Sequence, residues 1–371
     1  MDANCSSESL TEMKTYPINI ELKLSEEDIS RLVFHSALNL VDVLQDLIGS
    51  VRVCLNGRTD VFKKTEAFCT QLGRSLGSFS ATARLMQSFT MERSLILGEV
   101  EDVKQILAVA SQANAKLVAK VQGTMSLLEN FIVPIFELRM NELLQRSKYP
   151  AGFWVAYHIA TLRRNMETVL QAVSLSNAAR TRIVFKPEEM GPQDHLVQLD
   201  IQSAAGRSIR LPPVMQDCFR DLLMNARKYS LPGTTIRGLM ANTGEELVIR
   251  VEDQGIGIEP DEVEQIIQFG FRGSNAIGRR TMGGGFGLTK AYYFTKLLGG
   301  TFTITTGLGM GSIFEIRIRC PPGCALASPV TAAASAAAPA DSGTAPRVAA
   351  PPAGATVEAP RQAGPPPLAV S

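Results

Sequence analysis

Near residue 181 the hydrophobic period of the chain changes, and this constrains its folding more than any other feature. From Ser25 to about Ser176 apolar residues recur at helical spacing; after Thr181 they alternate in short runs. Such a chain must bury helical stripes against one another and, separately, a sheet against its own helices. The helical part opens on Ser25 as an N-cap, with Glu26, Glu27 and Asp28 in the first turn and Ile29, Val33, Leu40, Leu44 and Leu47 along one face. Asn56-Gly57 ends this helix. A second is expected from about Asp60 into the nineties, and a third from about Gly98 through Val103, Leu107, Ala110, Leu117 and Val121, kinked or ended by Pro134. A fourth follows Pro150 and carries Trp154, Ile159, Leu162 and Val169. Runs around Val197 to Ile201, Ile236, Leu247 to Val251, Phe302 to Ile304 and Ile313 to Ile318 predict strands, with helices at about 214–229, 260–268 and 287–298. The expected fold class is α+β: a helical bundle over 17–180, then an α/β domain over 181–320.

Both ends differ from these parts. Residues 1–16 are polar and patternless, and 321–371 hold 11 of the 20 prolines, long alanine tracts and no aromatic residue, a composition that predicts disorder at each end. Thirty-seven Lys and Arg balance 36 Asp and Glu, so no global field draws the chain to nucleic acid. Six cysteines without ligand spacing and three scattered histidines (His35, His158 and His195) argue against structural metal. His158 falls on the expected fourth helix as a packing or edge residue, and His195 reads as loop. The start, Met1-Asp2-Ala3-Asn4-Cys5, has neither a basic cluster nor an apolar run, and no segment reaches the roughly 18 to 20 bulky apolar residues of a membrane span. A cytoplasmic protein with reduced thiols is the expectation.

Four elements of the second part carry chemistry. In DCFRDLLMNARKYS (217–230), Asp221, Asn225 and Lys228 share a helix face, and a carboxylate, an amide and an ammonium so placed can hold Mg²⁺ and triphosphate oxygens together. Asp253-Gln254-Gly255-Ile256-Gly257-Ile258 follows a strand. Its glycines let a flat ring approach the backbone while the carboxylate accepts from an exocyclic amine. Gly283-Gly284-Gly285-Phe286-Gly287-Leu288 precedes a helix, where bare N–H groups suit phosphate. Gly309-Met310-Gly311-Ser312 opens the last strand. Singly, the glycine run could be a mobile loop and Asp253-Gln254-Gly255 a turn; their order carries the reading. A dinucleotide-binding or P-loop pattern is absent.

In this order the elements resemble the ATP-binding domain shared by histidine kinases, type II topoisomerases, Hsp90-like chaperones and MutL-like repair proteins, the GHKL superfamily. DLLMNARKYS resembles the histidine-kinase N box, DQGIGI the first glycine box, IIQFGFRGSN the F-box region, GGGFGL the second glycine box and GMGSIFEIRI the last. The resemblance implies an α/β sandwich that binds ATP with Mg²⁺. On it, Asn225 ligates the metal, Asp253 binds the adenine amino group, Lys228 contacts phosphate and Tyr229 lines the adenine site. Gly283, Gly285 and Gly287 support a lid, Arg272 belongs to the charged rim, and Gly255, Gly257, Leu288 and Ser312 complete the binding set. Asp221 stands where many histidine kinases have Asn and the hydrolysing ATPases Glu, so phosphotransfer and hydrolysis both stay open.

A histidine kinase also needs a phosphoacceptor in its bundle. On a helical wheel His35 falls opposite the Ile29–Leu47 stripe, with Asn39 one turn on and Asp42 two, and an exposed neutral imidazole could attack a γ-phosphoryl group. VFHSALNLV resembles the dimerisation helix of histidine kinases, although Ser36 stands where that family has an acid, and the distance to Asn225 leaves extra helices. The expectation is a homodimeric kinase that autophosphorylates His35 and passes phosphate to a response-regulator aspartate, with a separate sensory partner able to supply the signal. The alternative is an ATP-binding regulator, an anti-sigma-like serine/threonine kinase or a degenerate kinase scaffold.

Overall fold

In the computed structural model, which describes residues 12–110, 115–147, 152–174, 181–276 and 285–322, the second part of the chain is built on a sheet. Among the described residues its seven strands run in the order β1 (Lys14–Ile18), β8 (Thr301–Gly307), β9 (Gly311–Arg319), β7 (Glu246–Asp253), β6 (Thr235–Asn242), β4 (His195–Ser203) and β3 (Ile183–Val184). The β3–β4 and β4–β6 pairs are parallel and the others antiparallel. A separate two-stranded sheet joins β2 (Val155–His158) to β5 (Ser208–Leu211).

Alternation along β7 buries Leu247, Ile249, Val251 and Asp253 on one face. Helices α8 (Val214–Tyr229) and α9 (Gly287–Leu297) cover the sheet, burying Cys218, Phe219, Leu222, Leu223, Ala291 and Phe294 in one core with those strands. Gly238 of β6 permits the close approach, since a Cβ there would stand 2.8 Å from the Phe219 ring. The stretch at 260–268 is a turn with a short 3₁₀ segment at Gln265–Ile267 instead of the expected helix.

The bundle comprises α1 (Glu26–Cys54), α2 (Lys63–Ser75), α3 (Phe79–Gln87), α4 (Phe89–Ala110), α5 (Ala115–Leu127) and α6 (Val133–Ser147). Ser25 caps α1 in a capping box: its hydroxyl accepts the Asp28 amide at 3.1 Å and the Asp28 carboxylate accepts the Ser25 amide at 3.0 Å. The helix expected from Asp60 into the nineties is α2, α3 and the start of α4, because Gly77-Ser78 breaks it, with Ser78 capping α3, and Ser88 ends α3; α4 then runs on through Gly98, the expected start of a further helix. Pro134 sits in the first turn of α6, after a π-helical stretch at Leu128–Ile132. Proline offers no amide to the Asn130 carbonyl, and a wider turn accommodates the gap. Burial on α1 is broader than the expected stripe and takes in Leu32, Phe34, Ala37, Val41, Val43 and Val51.

Other expectations are corrected. Lys14–Tyr16 of the segment expected to be disordered are edge strand, paired with Thr306 to Ile304 of β8. The run after Pro150 is β2 followed by α7 (Ile159–Ser174), so His158 ends a strand and is exposed. Helix α7 buries Leu162, Met166 and Leu170 in the sheet's core and Val169 in the bundle's. His195 is no loop residue: it begins β4 and is buried, which lowers its pKa to about 4, with Arg227 adding to the shift and Asp194 opposing it. The tail beyond residue 322 lies outside the described residues.

Candidate active site

Asp253 ends the buried face of β7, where the alternation calls for an apolar residue. Its Oδ1 accepts the Gly255 amide at 2.8 Å, and the Ser312 backbone gives a further hydrogen bond. Burial outweighs both bonds and raises its pKa to about 7. Two glycine turns stack backbone on backbone beside it. Gly257 (φ +69°) leaves no room for a Cβ against the Gly307 carbonyl, nor does Gly311 (φ +87°) against that of Asp253; Gly309 N–H donates to the Ile256 carbonyl at 2.9 Å.

Residues of these turns and of α8 line one cavity. Of the residues singled out in the sequence, Asp221, Asn225, Lys228, Tyr229, Asp253, Gly257, Arg272, Gly285, Gly287, Leu288 and Ser312 line it. Gly255 is buried behind the lining, where a Cβ would meet the Tyr229 carbonyl at 2.6 Å. Gly283 lies outside the described residues, as does the His35 side chain, although the His35 backbone belongs to α1.

Residues not anticipated from the sequence complete the walls. Met224, Ile256, Ile258, Ile266 and Phe314 are apolar and share the cavity with Asp253, which makes that end suited to a flat heteroaromatic ring with a donor edge. Asn275 lines it too, donating to the Gly257 carbonyl at 3.1 Å. At the α8 end, burial holds the Lys228 ammonium below the usual lysine range, with Asp221 opposing and Arg272 adding to the shift. Helix α9 begins at Gly287, so its N-terminal amides also face this end. No group of three His, Cys, Asp or Glu able to hold a metal occurs among the described residues. The Asn225 amide beside Lys228 fits instead a Mg²⁺ that keeps waters and takes most of its other ligands from phosphate.

Behind Asp221 lies an array of charges that the sequence reading does not anticipate. Lys290 of α9, fully buried, pairs with the Asp221 carboxylate and stands 3.7 Å from Asp217. Asp217, also fully buried, takes Arg139 of the bundle helix α6 at 2.8 Å and Arg220 at 3.2 Å. Glu142 pairs with both arginines. Burial alone would lower the Arg139 pKa, but Asp217 and Glu142 hold it above the usual arginine range.

An apolar slot closed by a buried carboxylate, a helix face of carboxylate, amide and ammonium, and a glycine-rich helix N-terminus define an ATP-binding domain of the GHKL class. Residues 212–322 match the family described as "Histidine kinase-, DNA gyrase B-, and HSP90-like ATPase", and this part of the chain is a domain of that family. The chain is 34% identical over 98 residues to the sensor histidine kinase RppB of Synechocystis, covering 26% of this chain and 22% of that protein. It is 24% identical over 251 residues to the sensor histidine kinase RcsC of Escherichia coli, covering 62% and 25%. To the aerobic respiration control sensor protein ArcB of Escherichia coli it is 32% identical over 153 residues, covering 41% and 18%. The chain thus spans a quarter or less of the length of these relatives. No helix among the described residues is long and apolar enough to cross a membrane.

Proposed function

We propose that the chain is a cytoplasmic, homodimeric protein-histidine kinase. It binds ATP with Mg²⁺, phosphorylates His35 of its own bundle and passes the phosphoryl group to an aspartate of a response-regulator receiver domain. The observation that carries this reading is that one cavity is lined both by the buried Asp253 carboxylate and by Asn225 and Lys228 of α8. Adenine seats in the apolar slot with its amine donating to Asp253. Lys228 holds a phosphate oxygen, and Asn225 helps to hold Mg²⁺, which supplies charge neutralisation to the triphosphate. Tyr229 borders the slot, while Arg272, Gly285 and Gly287, which line the same cavity, face the phosphates.

Two of the relatives named above, RppB and RcsC, are sensor histidine kinases, which favours phosphotransfer to histidine over the other chemistries of this ATPase family. Ser36, next to His35, favours a second reading: without an adjacent carboxylate to draw the imidazole proton, the bundle is a partner-binding module, and the ATP domain belongs to a serine/threonine kinase or a scaffold. Incubation with γ-labelled ATP separates the two. Label lost in acid and kept in alkali marks phosphohistidine; the reverse, or no label with a cognate receiver present, marks the second reading.

A further inference from the structure

Lys290 sits on α9 one turn after Gly287, wholly out of solvent, yet no part of nucleotide recognition calls for it. A buried ammonium is tolerated only against carboxylate. Of the two carboxylates near it, Asp217 is already held by Arg139 and Arg220, and it stands farther off. Asp221 is the direct partner, and Asp221 also lines the nucleotide cavity, one helical turn before Asn225. Gly287 presses on the same side chain, since a Cβ there would stand 3.1 Å from the Asp221 Cβ.

A carboxylate in that place, left to itself, has the chemistry of a base for water at the terminal phosphate. The water oxygen would bond to the γ-phosphorus as the bond from that phosphorus to the β–γ bridging oxygen breaks, the water proton passing to the carboxylate and ADP leaving with inorganic phosphate. An ammonium clamped on the carboxylate opposes this by holding it toward α9.

We propose that Lys290 is a positioning residue that holds Asp221 against α9 and so keeps it from activating water, reserving the γ-phosphoryl group for transfer. The proposal rests on the ATP-binding reading above and goes beyond it in assigning Lys290 the suppression of hydrolysis. The full chain carrying Lys290→Met, Asp221→Asn or both, assayed without a receiver protein, tests it in three readouts: affinity for a fluorescent ATP analogue, release of inorganic phosphate, and the urea midpoint of the nucleotide-free protein. Lys290→Met should raise phosphate release by roughly a hundredfold, the low end of general-base catalysis, at unchanged affinity, and adding Asp221→Asn should abolish the rise. The double variant should also be more stable than the sum of the single losses predicts. A merely structural lysine would lower affinity and turnover together. Wild-type phosphate release from a Lys290→Met protein that binds nucleotide normally would overturn the proposal. If Lys290→Met does not fold, Lys290→Gln takes its place with the same outcomes. A wild-type protein that binds no nucleotide is a separate failure: it overturns the ATP reading before any variant is made, and the role of Lys290 with it.

Discussion

The Asp253 carboxylate accepts the Gly255 amide at 2.8 Å from the end of a buried strand face, so the turn that follows β7 holds in place the acceptor that the cavity offers to a ligand. Replacing that acceptor by an amide removes a charge-assisted hydrogen bond and places a donor in front of a donor. Asp253→Asn should therefore weaken adenine-nucleotide binding by about 1.5 to 3 kcal/mol. Calorimetry on the two proteins measures it, and equal affinities would remove Asp253 from the site.

The same residue makes stability depend on pH. With its pKa raised to about 7, the folded state without nucleotide favours the neutral acid. The contribution is complete below the unfolded carboxylate value, near 3.8, and is lost as pH rises toward about 7. At one pKa unit per ~1.4 kcal/mol the loss is on the order of a few kcal/mol. Thermal melts of the nucleotide-free protein should fall across this window in the wild type and stay flatter in Asp253→Asn; parallel curves would contradict the assignment.

Much of this site could be read from the sequence because its signals are local. The alternation Leu247, Ile249, Val251 places Asp253 on the buried face without reference to any other strand, and positions 221, 225 and 228 share a face by helical geometry alone. What could not be read depends on distant partners. Lys14–Ile18 is a short mixed run with Pro17 inside it, tolerated because β1 lies at the sheet edge, and nothing local announces its pairing with β8, nearly 300 residues on. Lys290 in GLTKAYYF passes for an ordinary helix lysine until α8 brings Asp217 and Asp221 to it. Gly77-Ser78 and Ser88 divide the stretch expected as one helix from Asp60, and α4 continues through Gly98, a glycine that the helix interior tolerates, to Ala110.

Three glycines near Asp253 separate conformational strain from close packing. Gly257, Gly309 and Gly311 all have positive φ, but only Gly257 and Gly311 lie against backbone where a Cβ would overlap a carbonyl; around Gly309 there is open space. Gly309→Ala should cost about 1 to 2 kcal/mol for the left-handed conformation alone. Gly257→Ala and Gly311→Ala should cost more and also weaken nucleotide binding. Urea denaturation that ranks the three equally would contradict the stacked-turn geometry.

Arg139 ties the bundle to the ATP domain through Asp217. Arg139→Met leaves the Asp217 and Glu142 carboxylates short of a buried partner and should destabilise the chain by about 3 to 5 kcal/mol. Chemical denaturation gives the value. A loss no larger than that of an exposed ion pair, under about 1 kcal/mol, would show that the contact is not maintained in solution.

The central claim, transfer of phosphate from ATP to a bundle histidine, is tested most directly by locating the label. After incubation with γ-labelled ATP and Mg²⁺, the wild-type protein should carry acid-labile label that maps to the peptide containing His35. His35→Gln should carry none while binding nucleotide with unchanged affinity. Acid-labile label that persists in His35→Gln, or label found on serine or threonine, would contradict the account.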